Sequence, residues 1–73
     1  MKKKKFLLAL GENIRRIREE KGVSMLKLGK IIDKDYRSIM KVEQGKINCT
    51  LYYLCEIADG LGVGVDELVK TLP

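Results

Sequence analysis

Seventy-three residues form one small domain, a size at which a single core stabilises the fold by only about 3–5 kcal/mol, and leave no room for a second. Fifteen lysines and arginines against ten acidic residues give a net charge of +5, which suits a polyanionic partner. Histidine is absent, and Cys49 and Cys55 cannot make a structural zinc site without recruited carboxylates. They read as buried or half-buried free thiols in a reducing compartment, with no metal and no cofactor implied.

The opening MKKKKFLLALGENIRR superficially imitates a leader segment. Its apolar run, Phe6–Leu10, is shorter than the roughly 7–15 residues a leader needs, and charged residues follow at once. No stretch approaches transmembrane length, so the expected location is the cytoplasm and no membrane role is implied. Without histidine the serines and threonines lack the usual base, and the acidic residues are scattered, so no catalytic set is present and the chain is not expected to be an enzyme.

Residues 1–5 read as a basic tail and 6–73 as the domain. Lys2–Lys5 repel one another and are expected to be disordered, serving either as an arm for phosphates or as a solubilising tail. Leu7, Leu10, Ile14 and Ile17 recur at spacings of three and four, predicting a first helix over about 6–21 that stops at Gly22. Ser24 can cap a second helix, whose inner side collects Met25, Leu28, Gly29, Ile31 and Ile32. Gly29 on that side would let another backbone cross closely, and Leu26 falls on the outer side. Asp33 marks the turn.

Asp35 can cap a third helix that puts Ile39 and Val42 behind, with Ser38 beside them. Tyr36, Arg37, Met40 and Lys41 form the opposite arc, four long side chains displayed together over about two turns. The chain breaks at Gly45, and Thr50 can cap a fourth helix with a buried stripe of Leu51, Leu54, Ile57, Ala58 and Leu61 and Cys55 close by. Gly60, Gly62 and Gly64 follow a helix instead of a strand, which excludes a nucleotide-binding loop. They are expected to end the fourth helix and turn into a fifth, Val65–Thr71, whose Asp66 and Glu67 suit its positive end. Val63, Val65, Leu68, Val69 and Leu72 offer more apolar side chains than one short helix can hide, which predicts a dimer contact there.

Charge is divided unevenly: residues 1–43 carry thirteen basic and six acidic groups, +7, whereas residues 44–73 carry two and four, −2. The positive excess thus lies in the part of the chain that includes the second and third helices, as an electrostatic footprint for nucleic acid would require.

From Ser24 to Gly45 the chain resembles the helix-turn-helix of phage repressor and Cro-type (XRE-family) transcription regulators. The resemblance extends over Gly11–Leu68, through IRRIREEKGVS at 14–24, IMKVEQGKIN at 39–48 and ADGLGVGVDEL at 58–68. It implies an all-α, compact five-helix bundle of the lambda-repressor-like type, and a homodimer that sets its third helix, about residues 35–43, into successive major grooves of a palindromic operator about 34 Å apart. A repressor is the implied role. Arg37 and Lys41 would read guanine, Tyr36 would bond to or stack on a base edge, and Met40 would touch a thymine methyl. Phosphates would be held near Met25 and by Gln44, Lys46 and Asn48. Arg18 matches the family position that pairs with the glutamate near the end of the third helix, here Glu43.

Three positions depart from the family: Met25 replaces a glutamine, Asp33 a turn glycine, and Lys34 an apolar residue expected to plug the turn. An exposed Leu26 adds a reading from another class, a DNA-binding antitoxin or other module with a protein partner such as a toxin.

Overall fold

A computed structural model describes residues 2–73, and all regular structure among them is helical: α1 (Lys3–Glu20), α2 (Met25–Ile32), α3 (Tyr36–Glu43), α4 (Leu51–Leu61) and α5 (Val65–Leu68). Ile14, Leu28, Ile39, Ile57 and Leu68, one from each helix, are fully buried at the centre. The core thus joins all five helices, and none of them has an apolar face wide enough to stand alone.

α1 starts earlier than expected. Lys3–Lys5 form its first turn instead of a disordered tail, and the Phe6 N–H donates to the Lys2 carbonyl at 3.0 Å. Lysine is a good helix former, and the buried Leu7 and Leu10 anchor the turn that follows, which offsets positive charge at the helix's positive end. At the other end Gly22 takes the left-handed conformation, φ 68°, and the Val23 N–H returns to the Arg18 carbonyl at 3.1 Å.

The Ser24 hydroxyl accepts from the Lys27 N–H at 3.0 Å and starts α2. Its contact line is narrower than expected. Leu28 and Gly29 are buried with Met25 and Ile32 at the edges, whereas Ile31 is 52% exposed. Asp33 adopts the left-handed conformation, φ 58°, and the Lys34 N–H donates to the Gly29 carbonyl at 2.8 Å, which turns the chain towards α3. Lys34 does not leave this turn open: its ammonium lies 5.7 Å from the centre of the Tyr53 ring and 3.6 Å from Glu56 Oε1. A cation reaching to α4 thus takes the place of the expected apolar plug.

Thr50 caps α4 by accepting from the Tyr53 N–H at 3.0 Å. Its buried stripe begins at Leu54; Leu51 is 69% exposed and Cys55 is also exposed, whereas Cys49 is half-buried. Gly60 lies inside α4 and does not end it; Gly62, φ 73°, does. A Cβ at Gly60 would stand 2.6 Å from Ile32 Cγ2 and 2.9 Å from Leu28 Cδ1, so the missing side chain lets α4 close on α2.

α5 is one turn, shorter than the expected Val65–Thr71. The Asn13 amide holds its end by donating to the Leu68 carbonyl at 3.0 Å and the Lys70 carbonyl at 2.8 Å. Leu68 is fully buried, Val63, Val65 and Leu72 pack on the core, and only Val69 of the five C-terminal apolar residues is markedly exposed. The chain hides most of the surface from which dimerisation was expected.

Candidate nucleic-acid interface

α3 shows two exposed cations, Arg37 and Lys41, on a helix with a fixed back. Ile39 and Val42 are buried behind it, and Ser38 beside them accepts from the Tyr53 hydroxyl at 2.8 Å. The Asp35 carboxylate caps its start by accepting from the Arg37 N–H at 2.9 Å. Tyr36, Arg37 and Lys41 are exposed on the front and Met40 is half-buried.

Two glycines fix where this helix sits. A Cβ on Gly29 would come 2.6 Å from the Lys34 carbonyl oxygen and 3.3 Å from the Tyr36 nitrogen, so the start of α3 lies directly against α2. A Cβ on Gly11 would collide with the Glu43 carbonyl oxygen and stand 2.7 Å from that of Val42, so the end of α3 lies against α1. Backbone atoms cannot rotate away as a side chain can. Both contacts therefore require glycine for space, with no unusual dihedral involved.

An ion pair reinforces the second contact. Arg18 Nε donates to Glu43 Oε2 at 2.7 Å and Nη2 to Oε1 at 3.2 Å, while Nη1 donates to the Val23 carbonyl at 2.8 Å. The two side chains are 9% and 5% exposed. The hydrogen bonds that Arg18 donates to Glu43 raise the Arg18 pKa, more than burial lowers it. The guanidinium thus ties α1 to both α3 and the segment that opens α2.

Arg37 does not extend freely. Its Nε and Nη2 donate to the two Asp35 oxygens at 3.1 and 2.9 Å, and this bond holds the Asp35 carboxyl below the ordinary aspartate range. Arg37, Met40 and Lys41 surround one hollow with Asp35, Ser38 and Ile47; Tyr36 and Arg37 border another with Leu26, Lys30, Lys34 and Asp35. Arg37 joins the two. Lys30 was missed in the sequence because it stands on the preceding helix, and only the α2–α3 angle brings it beside Tyr36 and Arg37.

The residues expected to hold phosphate lie outside these hollows. Met25 is the first residue of α2, where opening-turn amides have no partner within the helix. Gln44 is the C-cap of α3, and exposed Lys46 and Asn48 lie in the loop to α4. Among the described residues no cluster of histidine, cysteine or carboxylate groups is placed to hold a metal, and no helix is long and apolar enough to cross a membrane.

A helix-turn-helix family model matches residues 14–68, three-quarters of the chain. The chain belongs to this family: it is a Cro/C1-type (XRE-family) DNA-binding regulator domain, and not an enzyme. Among solved structures it is similar to the restriction-modification controller protein C.AhdI from Aeromonas hydrophila, with 29% identity, TM-score 0.82, and coverage of 85% of this chain and 94% of that one. The DNA-binding domain of BldD matches with 29% identity and TM-score 0.83 over the whole of both chains. The hypothetical transcription factor NHTF from Neisseria matches with 26% identity and TM-score 0.83, covering 94% and 79%. No curated protein sequence matches significantly.

Proposed function

We propose that this chain is a sequence-specific regulator of transcription, acting as a repressor in the cytoplasm, that places α3 in the major groove of double-stranded DNA. The observation that carries this reading is the exposed Tyr36–Arg37–Lys41 arc on a helix whose back and both ends are fixed. Arg37 and Lys41 offer donors to guanine O6 and N7, Tyr36 a hydroxyl and a ring, and Met40 an apolar contact for a thymine methyl. The α2 amides at Met25, with Gln44, Lys46 and Asn48, would hold phosphates and set register. Two copies on a palindromic operator would double this small footprint, with Val69 the exposed apolar residue of the C-terminal segment.

Duplexes enriched by the chain from random DNA test the proposal. They should be palindromic, sediment with two copies bound, and lose affinity with salt at a log–log slope of about −0.9 per neutralised phosphate. Arg37→Ala should cost about 1–3 kcal/mol on the enriched duplex and much less on random DNA. Equal loss on both would refute the assignment of α3.

The exposed Leu26, Ile31 and Tyr52 support a second reading, a protein partner such as the toxin of a toxin–antitoxin pair. Binding through these residues would be nearly insensitive to salt, unlike binding to phosphates.

A further inference from the structure

Asp35 does more than a cap requires. Its Oδ1 accepts from the Arg37 backbone N–H, and the same carboxylate grips the Arg37 guanidinium through Nε and Nη2. The guanidinium carbon is also 5.9 Å from the centre of the Tyr36 ring. Serine or asparagine would cap the helix as well. A carboxylate instead places negative charge on the face that meets a polyanion, a cost to binding unless the charge has a use there.

The use lies in which donors remain. A guanidinium carries five N–H groups, and it can form two parallel bonds through its Nε/Nη2 side or its Nη1/Nη2 end. Asp35 occupies the side and leaves the end free. That end fits guanine, the base with two adjacent major-groove acceptors, O6 and N7. An unrestrained arginine can swing to a phosphate and bind any sequence equally well. The pair is weak while solvated, with side chains 67% and 52% exposed, but its attraction grows where a base edge excludes water.

We infer that Asp35 is a specificity-determining positioning residue, which pins Arg37 end-on for guanine and withholds it from neighbouring phosphates. This rests on the assignment of α3 as the reading helix. Asp35 thereby exchanges some general affinity for selectivity.

The test uses the full chain and a duplex enriched by it from random DNA, with each guanine replaced in turn by adenine. Asp35→Asn keeps a capping oxygen and removes the charge; Asp35→Ser also caps but is too short to grip the guanidinium. In both variants the guanine preference at the pair read by Arg37 should fall by about tenfold, within the range of one bidentate contact, while binding to random duplex should tighten. In an Arg37→Ala background the Asp35 substitutions should leave base preference unchanged. If Arg37→Ala abolishes the guanine preference and both Asp35 variants retain it, α3 reads DNA and the role of Asp35 is overturned. If Arg37→Ala lowers specific and random binding equally, the reading-helix assignment itself fails. Thermal unfolding of both variants near the parent's temperature separates either result from loss of the helix.

Discussion

Removing the Arg18–Glu43 pair tests how α3 is held. Losing one member of a buried pair typically costs about 3–5 kcal/mol, because the other charge is left uncompensated. Here the side chains keep 9% and 5% exposure, so some water can reach them, and about 2–4 kcal/mol is expected for either alanine. A domain of this size has about 4–11 kcal/mol in all, so either change removes a large share. Arg18→Ala should be the more severe, since it also strands the Val23 carbonyl, whereas Glu43→Ala leaves Arg18 that acceptor. The double variant has no orphaned charge and should cost less than the two singles together, by about 1–3 kcal/mol. Urea denaturation followed by circular dichroism measures all three. Additive costs below about 1 kcal/mol each, the surface-pair range, would refute the reasoning.

Gly11→Ala and Gly29→Ala should each destabilise by about 1–3 kcal/mol, because the new methyl meets backbone; thermal unfolding checks this, and unchanged stability would mean that α3 is not so closely seated. Asp35 should titrate below the ordinary value of about 3.9 in the folded chain. Its folded pKa is depressed, so its contribution to stability is present above the unfolded value and is lost as pH falls through the folded one. Carboxyl-carbon NMR titration should show the depression shrink in Arg37→Ala but not vanish, since the Arg37 N–H still donates. Burial raises the Cys49 thiol pKa, whereas Cys55 is exposed. Iodoacetamide at neutral pH should therefore label Cys55 first, as read by peptide mass spectrometry; faster labelling of Cys49 would contradict its placement.

Much of this arrangement was legible in local pattern. Ser24, Asp35 and Thr50 cap helices as their types and positions imply, and the spacing of Leu7, Leu10, Ile14 and Ile17 found the buried line of α1. Periodicity failed at helix ends, where an apolar side chain can reach past the neighbouring helix: Ile31, near the end of α2, and Leu51, the first residue of α4, are exposed. It also could not judge the C-terminal segment, because α5 packs against α1, distant in sequence, as well as against the neighbouring α4. Gly11 carries no local signal, since nothing near it in sequence says that the end of α3 will cross there. The grip of Asp35 on Arg37 was equally hidden: a cap is visible in sequence, the rotamer of the second residue after it is not.

Gly11, together with the expected Gly29 crossing and Arg18–Glu43 pair, turns an exposed helix into an aimed one. Reading a base edge requires donors placed to within a fraction of an ångström, and a two-turn helix held only by Ile39 and Val42 could slide or rock on an apolar contact that has no direction. Gly29 fixes its start against α2, Gly11 and the Arg18–Glu43 pair fix its end against α1, and the Tyr53–Ser38 hydrogen bond fixes its rotation against α4. The restraints come from three different helices, so together they limit slide, tilt and roll. It follows that a change at Gly11, far from the exposed arc, should disturb base selection along with stability, whereas trimming exposed Leu51 should disturb neither.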